Sequence, residues 1–324
     1  MSVAPANHLV GGDGPADARS PVLALDIGGT KLAAGVVDRT GRVHSFVVVP
    51  SEADRGPDDM LPRLFELGRR AVEEAGVPWE EIDGVGIGCG GPLDSARGVL
   101  IAPLHLHGWA GVPIAELASA AFDRPAVLDN DATAAAAGEF RYGAGRGARN
   151  MVYLTVSTGV GGGVVTDGKL QRGPSGNGGE LGHVTVDWRG RRCRGCGRRG
   201  CLEAYCSGTS IAERAHEAGM DGASAADVAQ AALAGNSVAA KVWDETCEAL
   251  ACGIASLANV FEPERVVIGG GVSREGEQLL GPVREQVRAQ AIEPVARSLD
   301  VLAAELGDKV GVVGAAAVAF ERLL

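Results

Sequence analysis

Basic charge is scarce in this 324-residue sequence: 30 Lys plus Arg stand against 41 Asp plus Glu, a formal charge of −11 at pH 7. Neutralising a phosphate backbone takes many Lys and Arg contacts, so the deficit excludes a broad nucleic-acid footprint. No basic reading head is found along the chain either. No apolar run approaches the ~20 residues of a membrane helix without a His, Pro or Gly interruption. Residues 1–20 have neither a basic start nor a hydrophobic signal core, which predicts a soluble, cytoplasmic protein. Cysteine is sparse and odd in number, seven in all, and Cys193, Cys196 and Cys201 crowd into one short loop. Such clustering favours metal binding over disulfides.

What the chain has in excess is glycine, 49 residues, roughly twice the usual ~7%. An Arg-, Gly- and Ala-rich coding preference would also give that total, so the positions of the glycines carry the argument. The length predicts two domains, and 46% apolar residues are ample for two cores. Gly11, Gly12, Gly14 and Pro15 mark residues 1–20 as a flexible tail.

Val22 to Ile27 is a short apolar run broken by Gly28-Gly29-Thr30, and two further runs, Leu32–Val37 and Val43–Val49, make a β-meander. A helix over 58–76 and a strand over 85–88 follow. Asp129-Asn130-Asp131 then lead from a strand into an Ala-rich helix closed by Gly143. The order restarts at Met151–Val156, with Ser157-Thr158-Gly159 as a second glycine turn and Gly162–Thr166 as the next strand, so the spacing predicts two related halves. A Cys-rich loop, a helix over 239–261, a strand 265–268 ending in Gly269-Gly270-Gly271, and an apolar helix over 314–324 complete the chain.

The first turn offers backbone N–H groups, a hydroxyl and a cation to an anion at Gly28, Gly29, Thr30 and Lys31, while Asp26 can hold Mg²⁺ through water. The second turn, from Ser157 through Thr158 and Gly159 to Gly163, repeats the offer. Together with Gly269, Gly270 and Gly271 they predict a clamp on a nucleotide's phosphates. Two standard motifs fail on context. Gly86–Gly91 fits GxGxxG but is followed by Pro92 and a polar loop instead of a helix. Gly163–Lys169 fits GxxxxGK, yet Leu170 replaces the required Ser or Thr.

A carboxylate at a strand-to-helix junction suits proton abstraction from an attacking hydroxyl, which makes Asp131 the candidate base. Asp and Asn are equally favoured helix caps, so the local pattern leaves that reading open. Glu180, His183 and Glu203 bracket the Cys loop and supply the donors and acceptors a polyol needs. Cys193-x2-Cys196-x4-Cys201 with His183 gives a closed Cys₃His set, hence a structural zinc. A His held on zinc by one nitrogen presents the other in one orientation. His105 and His107 read as ordinary loop residues, and the six Arg within 189–199 as the solvated face of the zinc loop.

These motifs, in order, resemble the ROK family of sugar kinases, particularly its bacterial glucokinase branch, from Val22 to the C-terminus. Asp26-Ile-Gly-Gly-Thr-Lys31 and Ser157–Gly163 look like its two phosphate motifs, and Asn130-Asp131 like its sugar-binding Asn and catalytic Asp. Glu180-Leu-Gly-His183 and Cys196-Gly-x-x-Gly-Cys201-x-Glu203 resemble its substrate and zinc signatures, and Gly269–Gly271 its glycine turn near the nucleotide. The resemblance implies an α/β, actin/hexokinase-like ATPase fold of two RNase H-like domains around an interdomain cleft. It implies a small domain of residues 21–129 plus 311–324, and a large one, 130–310, that carries the zinc loop and a dimer surface. It further implies MgATP and a sugar as partners, a structural zinc, and a homodimer or dimer of dimers. Gly91, Asn130, Asp131, Glu180, His183 and Glu203 would hold the sugar. D-glucose phosphorylated at its 6-hydroxyl is the expected reaction. N-acetylglucosamine, N-acetylmannosamine, mannose, fructose or allose are alternative substrates, and a catalytically silent sugar sensor is the alternative function. The chain departs from the family in three places. Arg194 stands where the family usually has the first Cys of a CxC, with Cys193 one position earlier. His105 replaces an Asn that often contacts the sugar. The first strand begins at Val22, without the winged-helix domain of family repressors, and this favours an enzyme.

Overall fold

A computed structural model describes residues 20–103 and 105–324; the expected tail, Ser20 apart, lies outside them. The first apolar runs form β1 (Val22–Ile27), β2 (Lys31–Val37) and β3 (Val43–Pro50), paired antiparallel. Helix α1 (Pro57–Ala75) starts on Pro57, whose missing N–H is one the first turn leaves unpaired anyway, and stops at the left-handed Gly76. After it come β4 (Val85–Cys89), a small hairpin of β5 (Leu93–Asp94) and β6 (Val99–Leu100), helix α2 (Ile114–Phe122), β7 (Ala126–Asn130) and α3 (Asp131–Tyr142). The second half opens with β8 (Met151–Val156), β9 (Val160–Thr166) and β10 (Lys169–Leu170). Four helices follow: α4 (Glu203–Cys206), α5 (Gly208–Glu217), α6 (Ala225–Leu233) and α7 (Ser237–Phe261). The chain ends with β11 (Arg265–Gly269), α8 (Glu277–Gln290), α9 (Glu293–Ser298), β12 (Asp300–Ala303) and α10 (Val310–Arg322).

The two sheets repeat one topology. The first has the order β3-β2-β1-β4-β7 and the second β10-β9-β8-β11-β12. In each, the first three strands are antiparallel and the last two join parallel. The two related halves expected from the repeated strand–turn–strand unit are present, as two RNase H-like lobes of an actin/hexokinase-like fold. Both rejected motifs lie elsewhere than in a phosphate loop. Gly86–Gly91 is β4 and the bend into the cis Gly91–Pro92 peptide, and Gly163–Lys169 is the β9–β10 hairpin, where Asp167 and Gly168 both have positive φ.

Strand alternation decides what faces the cleft. In β1, Leu23, Leu25 and Ile27 enter the core beneath α1 and α2, while Val22 and Ala24 face α10. Asp26 is the next residue on the α10 side. In β8, Val152, Leu154 and Val156 face the helices of the second lobe, Met151 and Tyr153 face α3, and Thr155 comes next on that side. Each fully buried Val, Leu or Ile contributes about 1.5–3 kcal/mol, enough to make a one-residue register slip prohibitive.

The last helices of the two halves exchange sheets. Helix α10 follows β12 of the second sheet but packs Val312, Ala315 and Ala319 against Val22, Ala24 and Val127 of the first. Helix α3 follows β7 of the first sheet but sets Ala135 and Ala136 on Met151, Tyr153 and Val165 of the second. The two crossing connections meet at Glu139, a fully buried carboxylate that accepts hydrogen bonds from the Ala144, Glu305 and Leu306 N–H groups at 2.9, 3.2 and 2.8 Å. Among the described residues no helix is long and apolar enough to cross a membrane.

Candidate active site

Asp26, Lys31, Asp131, Thr155, Ser157 and Gly269–Gly271 line a cavity of about 380 Å³ between the lobes. The first turn of α10 sits directly on Asp26: a Cβ at Gly311 would collide with Asp26 Oδ2. Burial pushes the Asp26 carboxyl up to about 7, repulsion from Asp131 adds to it, and Lys31 opposes. Gly28 does not keep a bare N–H, because it donates to the Lys31 carbonyl at 3.0 Å and closes the turn, leaving Thr30 and Lys31 exposed. In the second turn Ser157 N–H donates to the Gly159 carbonyl at 2.9 Å. Ser157 and Thr158 line an adjoining cavity of about 420 Å³ with Gly208, Thr209 and Gly271. Gly159 packs on the Glu203 carboxylate, 2.9 Å from where its Cβ would be. The third turn closes over Val156 through Gly270, at φ +92, where a side chain would collide with the Val156 carbonyl.

The raised Asp26 makes a prediction with a definite sign. The unfolded carboxyl ionises near its ordinary value of 3.8 while the folded one keeps its proton to about 7. The wild type therefore loses stability as pH rises through that window, and an Asn does not. Asp26→Asn is expected to raise the thermal midpoint by roughly 5 °C above about pH 7, with the gain vanishing below about pH 4. A pH-independent difference between the two melting curves would show that Asp26 titrates normally.

At the start of α3 the sequence offers three candidate caps, and Asn130 takes the role. Its Oδ1 accepts from Ala132 and Thr133 N–H at 3.0 and 3.2 Å. Asp129 turns back into the protein and is fully buried. Asp131 shares the Ala132 N–H, its Oδ1 accepting at 2.8 Å, and is otherwise exposed to the cleft. The other face of Asn130 turns to Gly91: a Cβ there would stand 3.6 Å from Asn130 Nδ2 and 3.5 Å from Asn177 Oδ1.

The polar groups around the Cys loop converge on the same space. Burial raises the Glu180 carboxyl, the nearby His183 opposes, and the charges of Asp131 and Glu203 raise it further. Glu203 accepts from Val160 N–H at 3.0 Å through one oxygen and from the Cys193 thiol at 3.4 Å through the other. His183, Cys193, Cys196 and Cys201 bring one ligand atom each to within 4.8 Å of one another. The Cys196 and Cys201 sulfurs are 3.5 Å apart, and Cys193 Sγ lies 3.8 Å from His183 Nδ1. A tetrahedron of ligands at ~2.0–2.3 Å has edges of about 3.3–3.8 Å, so a zinc ion fits these donors. Desolvation of the Cys196 thiol is outweighed by hydrogen bonds from Arg198 and the neighbouring thiols, which bring it down to about 7.

His105, whose surroundings read as an ordinary loop, lies beside the first phosphate turn. Its ring lies against the backbone of the first turn, 3.3 Å from where a Cβ of Gly29 would be, and a Cβ at Gly90 would collide with it. It therefore joins the phosphate turn to the Gly90–Gly91 bend. The available signal is its position four residues before Trp109, where the resemblance places a sugar-contacting Asn. Asn177 was missed as well, because an Asn in a glycine-rich loop reads as a turn former.

The sequence profile of the ROK family matches residues 22–322. A glucokinase of Thermotoga maritima is 35% identical over 316 residues, covering 93% of this chain and 98% of that one. The ROK hexokinase of Thermus thermophilus superposes with a TM-score of 0.81 at 38% identity, over 93% of this chain and 98% of the other. A ROK family glucokinase of Streptomyces griseus, solved in complex with glucose and AMPPNP, superposes with a TM-score of 0.79 at 35% identity, over 93% and 99%. This chain belongs to the ROK family.

Proposed function

We propose that this protein is an ATP-dependent sugar kinase that transfers the γ-phosphoryl group of MgATP to the 6-hydroxyl of D-glucose, giving glucose 6-phosphate and ADP. One observation carries the reading: Asp131, with Asn130 holding the cap of α3, faces both the Asp26–Lys31–Gly269–Gly271 cavity and the Glu180–His183–Glu203 cluster. A phosphate side and a polyol side meet at one carboxylate, whose Oδ1 alone is engaged, by the Ala132 N–H. The Thermotoga maritima glucokinase and the Streptomyces griseus glucokinase solved with glucose and AMPPNP support glucose.

In this reading the adenosine occupies the cavity beside Ser157, Thr158 and Gly271, and the phosphates reach into the cleft between Thr30, Lys31 and the third glycine turn. Asp26 holds the Mg²⁺ of MgATP through water. Asn130, Glu180, His183 and Glu203, with the Gly91 bend, take ring hydroxyls and aim the 6-hydroxyl in line with the γ-phosphate, and Asp131 takes its proton. Orientation supplies roughly 7–11 kcal/mol of the barrier reduction. Lobe closure excludes the water that would turn transfer into hydrolysis.

Zinc on His183 Nδ1, Cys193, Cys196 and Cys201 would hold the imidazole in one orientation and leave Nε2 for a sugar hydroxyl. A cytoplasmic setting, where thiols stay reduced, belongs to the same reading. So does a homodimer through the second lobe, supported by Val260 and Ile292, which are 73% and 58% exposed there.

The test is sugar-dependent ADP release across glucose, mannose, fructose, allose, N-acetylglucosamine and N-acetylmannosamine. The largest kcat/KM is expected for glucose. A lead by another sugar would overturn the substrate and keep the reaction class, and sugar binding without turnover would turn the protein into a sensor.

A further inference from the structure

Between β10 and Glu180 the chain leaves the second lobe and lies on the first at three successive points. Arg172 Nε donates to Asp129 Oδ2 at 2.6 Å, and its two terminal nitrogens donate to the two carboxyl oxygens of Glu321 on α10 at 2.9 and 2.8 Å. Gly176, at φ +77, lies so close to Ser95 that a Cβ would collide with its Oγ. The Asn177 carboxamide then mimics a strand: Oδ1 accepts from Leu93 N–H at 3.2 Å and Nδ2 donates to the Leu93 carbonyl at 2.9 Å. Immediately afterwards the chain returns to its own lobe. Gly179, at φ +98, approaches the Gly162 carbonyl of β9, 2.9 Å from where its Cβ would be. Glu180 and His183 follow on that side. The loop thus changes lobes across Gly178-Gly179.

The Arg172 anchor is also connected to the candidate base. Asp129 is fully buried, burial raises its carboxyl, and Arg172 is the largest opposing influence. The second Asp129 oxygen, Oδ1, accepts from the Asn130 N–H at 3.0 Å. Asn130 caps α3 and Asp131 is its next residue, so Arg172 reaches the base through one carboxylate and one peptide.

We propose that Arg172 is a positioning residue for phosphoryl transfer. It straps the sugar-facing loop to the first lobe and, through Asp129, fixes the Asn130–Asp131 start of α3, so that the hydroxyl-binding groups that follow the loop are registered against the base. The proposal rests on the sugar-kinase reading above. A misplacement of about 1 Å at a reacting group lowers rate about 10²-fold, so Arg172→Met is expected to lower kcat/KM for glucose about 10²-fold while KM for MgATP stays within about 3-fold. Asp129→Asn is expected to fall by a similar factor. The double variant should be little worse than either single one, because the two residues act as a unit. Asn177→Ala, which removes the Leu93 pairing and the local bonds to Ser175 but leaves the Arg172 anchor, should raise KM for glucose about 10-fold at unchanged thermal midpoint.

Wild-type protein without sugar-dependent turnover would refute the kinase reading itself. With wild-type turnover present, unchanged kcat/KM in Arg172→Met, or losses shared equally by glucose and MgATP, or additive losses in the double variant, would overturn the strap. If Arg172→Met does not fold, an unchanged KM for glucose in Asn177→Ala overturns it, and a raised one upholds it.

Discussion

Asp131→Asn is expected to lower kcat with glucose roughly 10²–10⁴-fold, the range a positioned general base supplies, while leaving glucose affinity and thermal midpoint near wild type. The structure makes this substitution unusually informative. In many helices an Asp at this place caps the first turn, and its loss costs about 1 kcal/mol of stability. Here Asn130 already caps Ala132 and Thr133. Asp131 can therefore be neutralised without removing the cap, and its effect on turnover separates from any effect on folding. The expected signature is a kcat loss at constant KM for glucose, measured by coupled ADP release with binding followed independently by calorimetry. Retained turnover would remove Asp131 from the chemistry.

Loss of the zinc proposed on the Cys loop should produce the second large effect, on stability and sugar binding together. Structural zinc contributes up to about 10–16 kcal/mol in isolated zinc-finger peptides. In a lobe with its own apolar core the loss is smaller, on the order of 5 kcal/mol, which corresponds to roughly 10–20 °C in thermal midpoint. Sugar affinity should fall because Cys193 touches both His183 and Glu203, at 3.8 and 3.4 Å, so the metal ligands and the candidate hydroxyl-binding groups share one framework. Cys201→Ser, or chelation followed by zinc add-back, is expected to raise KM for glucose about 10–100-fold, with KM for MgATP much less affected. Metal analysis of the purified protein gives the stoichiometry. Metal-free protein with an unchanged midpoint and unchanged glucose affinity would contradict the assignment.

Which features could be read from the sequence follows from how local they are. The β-meander, the glycine turns and the repeated half are written in period-two alternation and turn residues within ten or so positions. The Cys193–Cys196–Cys201 spacing is equally local. The exchange of α3 and α10 between sheets is not, since each helix carries an apolar face that would suit either sheet, and only the assembled pair decides. Arg172 illustrates the same limit at a side chain. Its partners lie 43 and 149 residues away, at Asp129 and Glu321, and nothing around Arg172 in the sequence separates it from the solvated arginines of the Cys loop. The packing of His105 is not legible locally, because its neighbours are glycines 76 and 15 positions earlier, which have no side chain to advertise a contact; only the resemblance, which places a sugar-contacting Asn there, singles the position out. The role of Asn130 needed geometry too: three adjacent Asp and Asn residues are equivalent as caps until the strand register points Asp129 inward.

In the proposed reaction a phosphoryl group moves from ATP to the 6-hydroxyl of glucose. The most direct measurement is the structure of the product: [6-¹³C]glucose with MgATP and the protein, followed by ¹³C and ³¹P NMR. A new phosphate ester with coupling to the labelled carbon, formed in one-to-one ratio with ADP, is the predicted result. A phosphate ester at any other carbon, or ADP formed without a sugar phosphate, would contradict it.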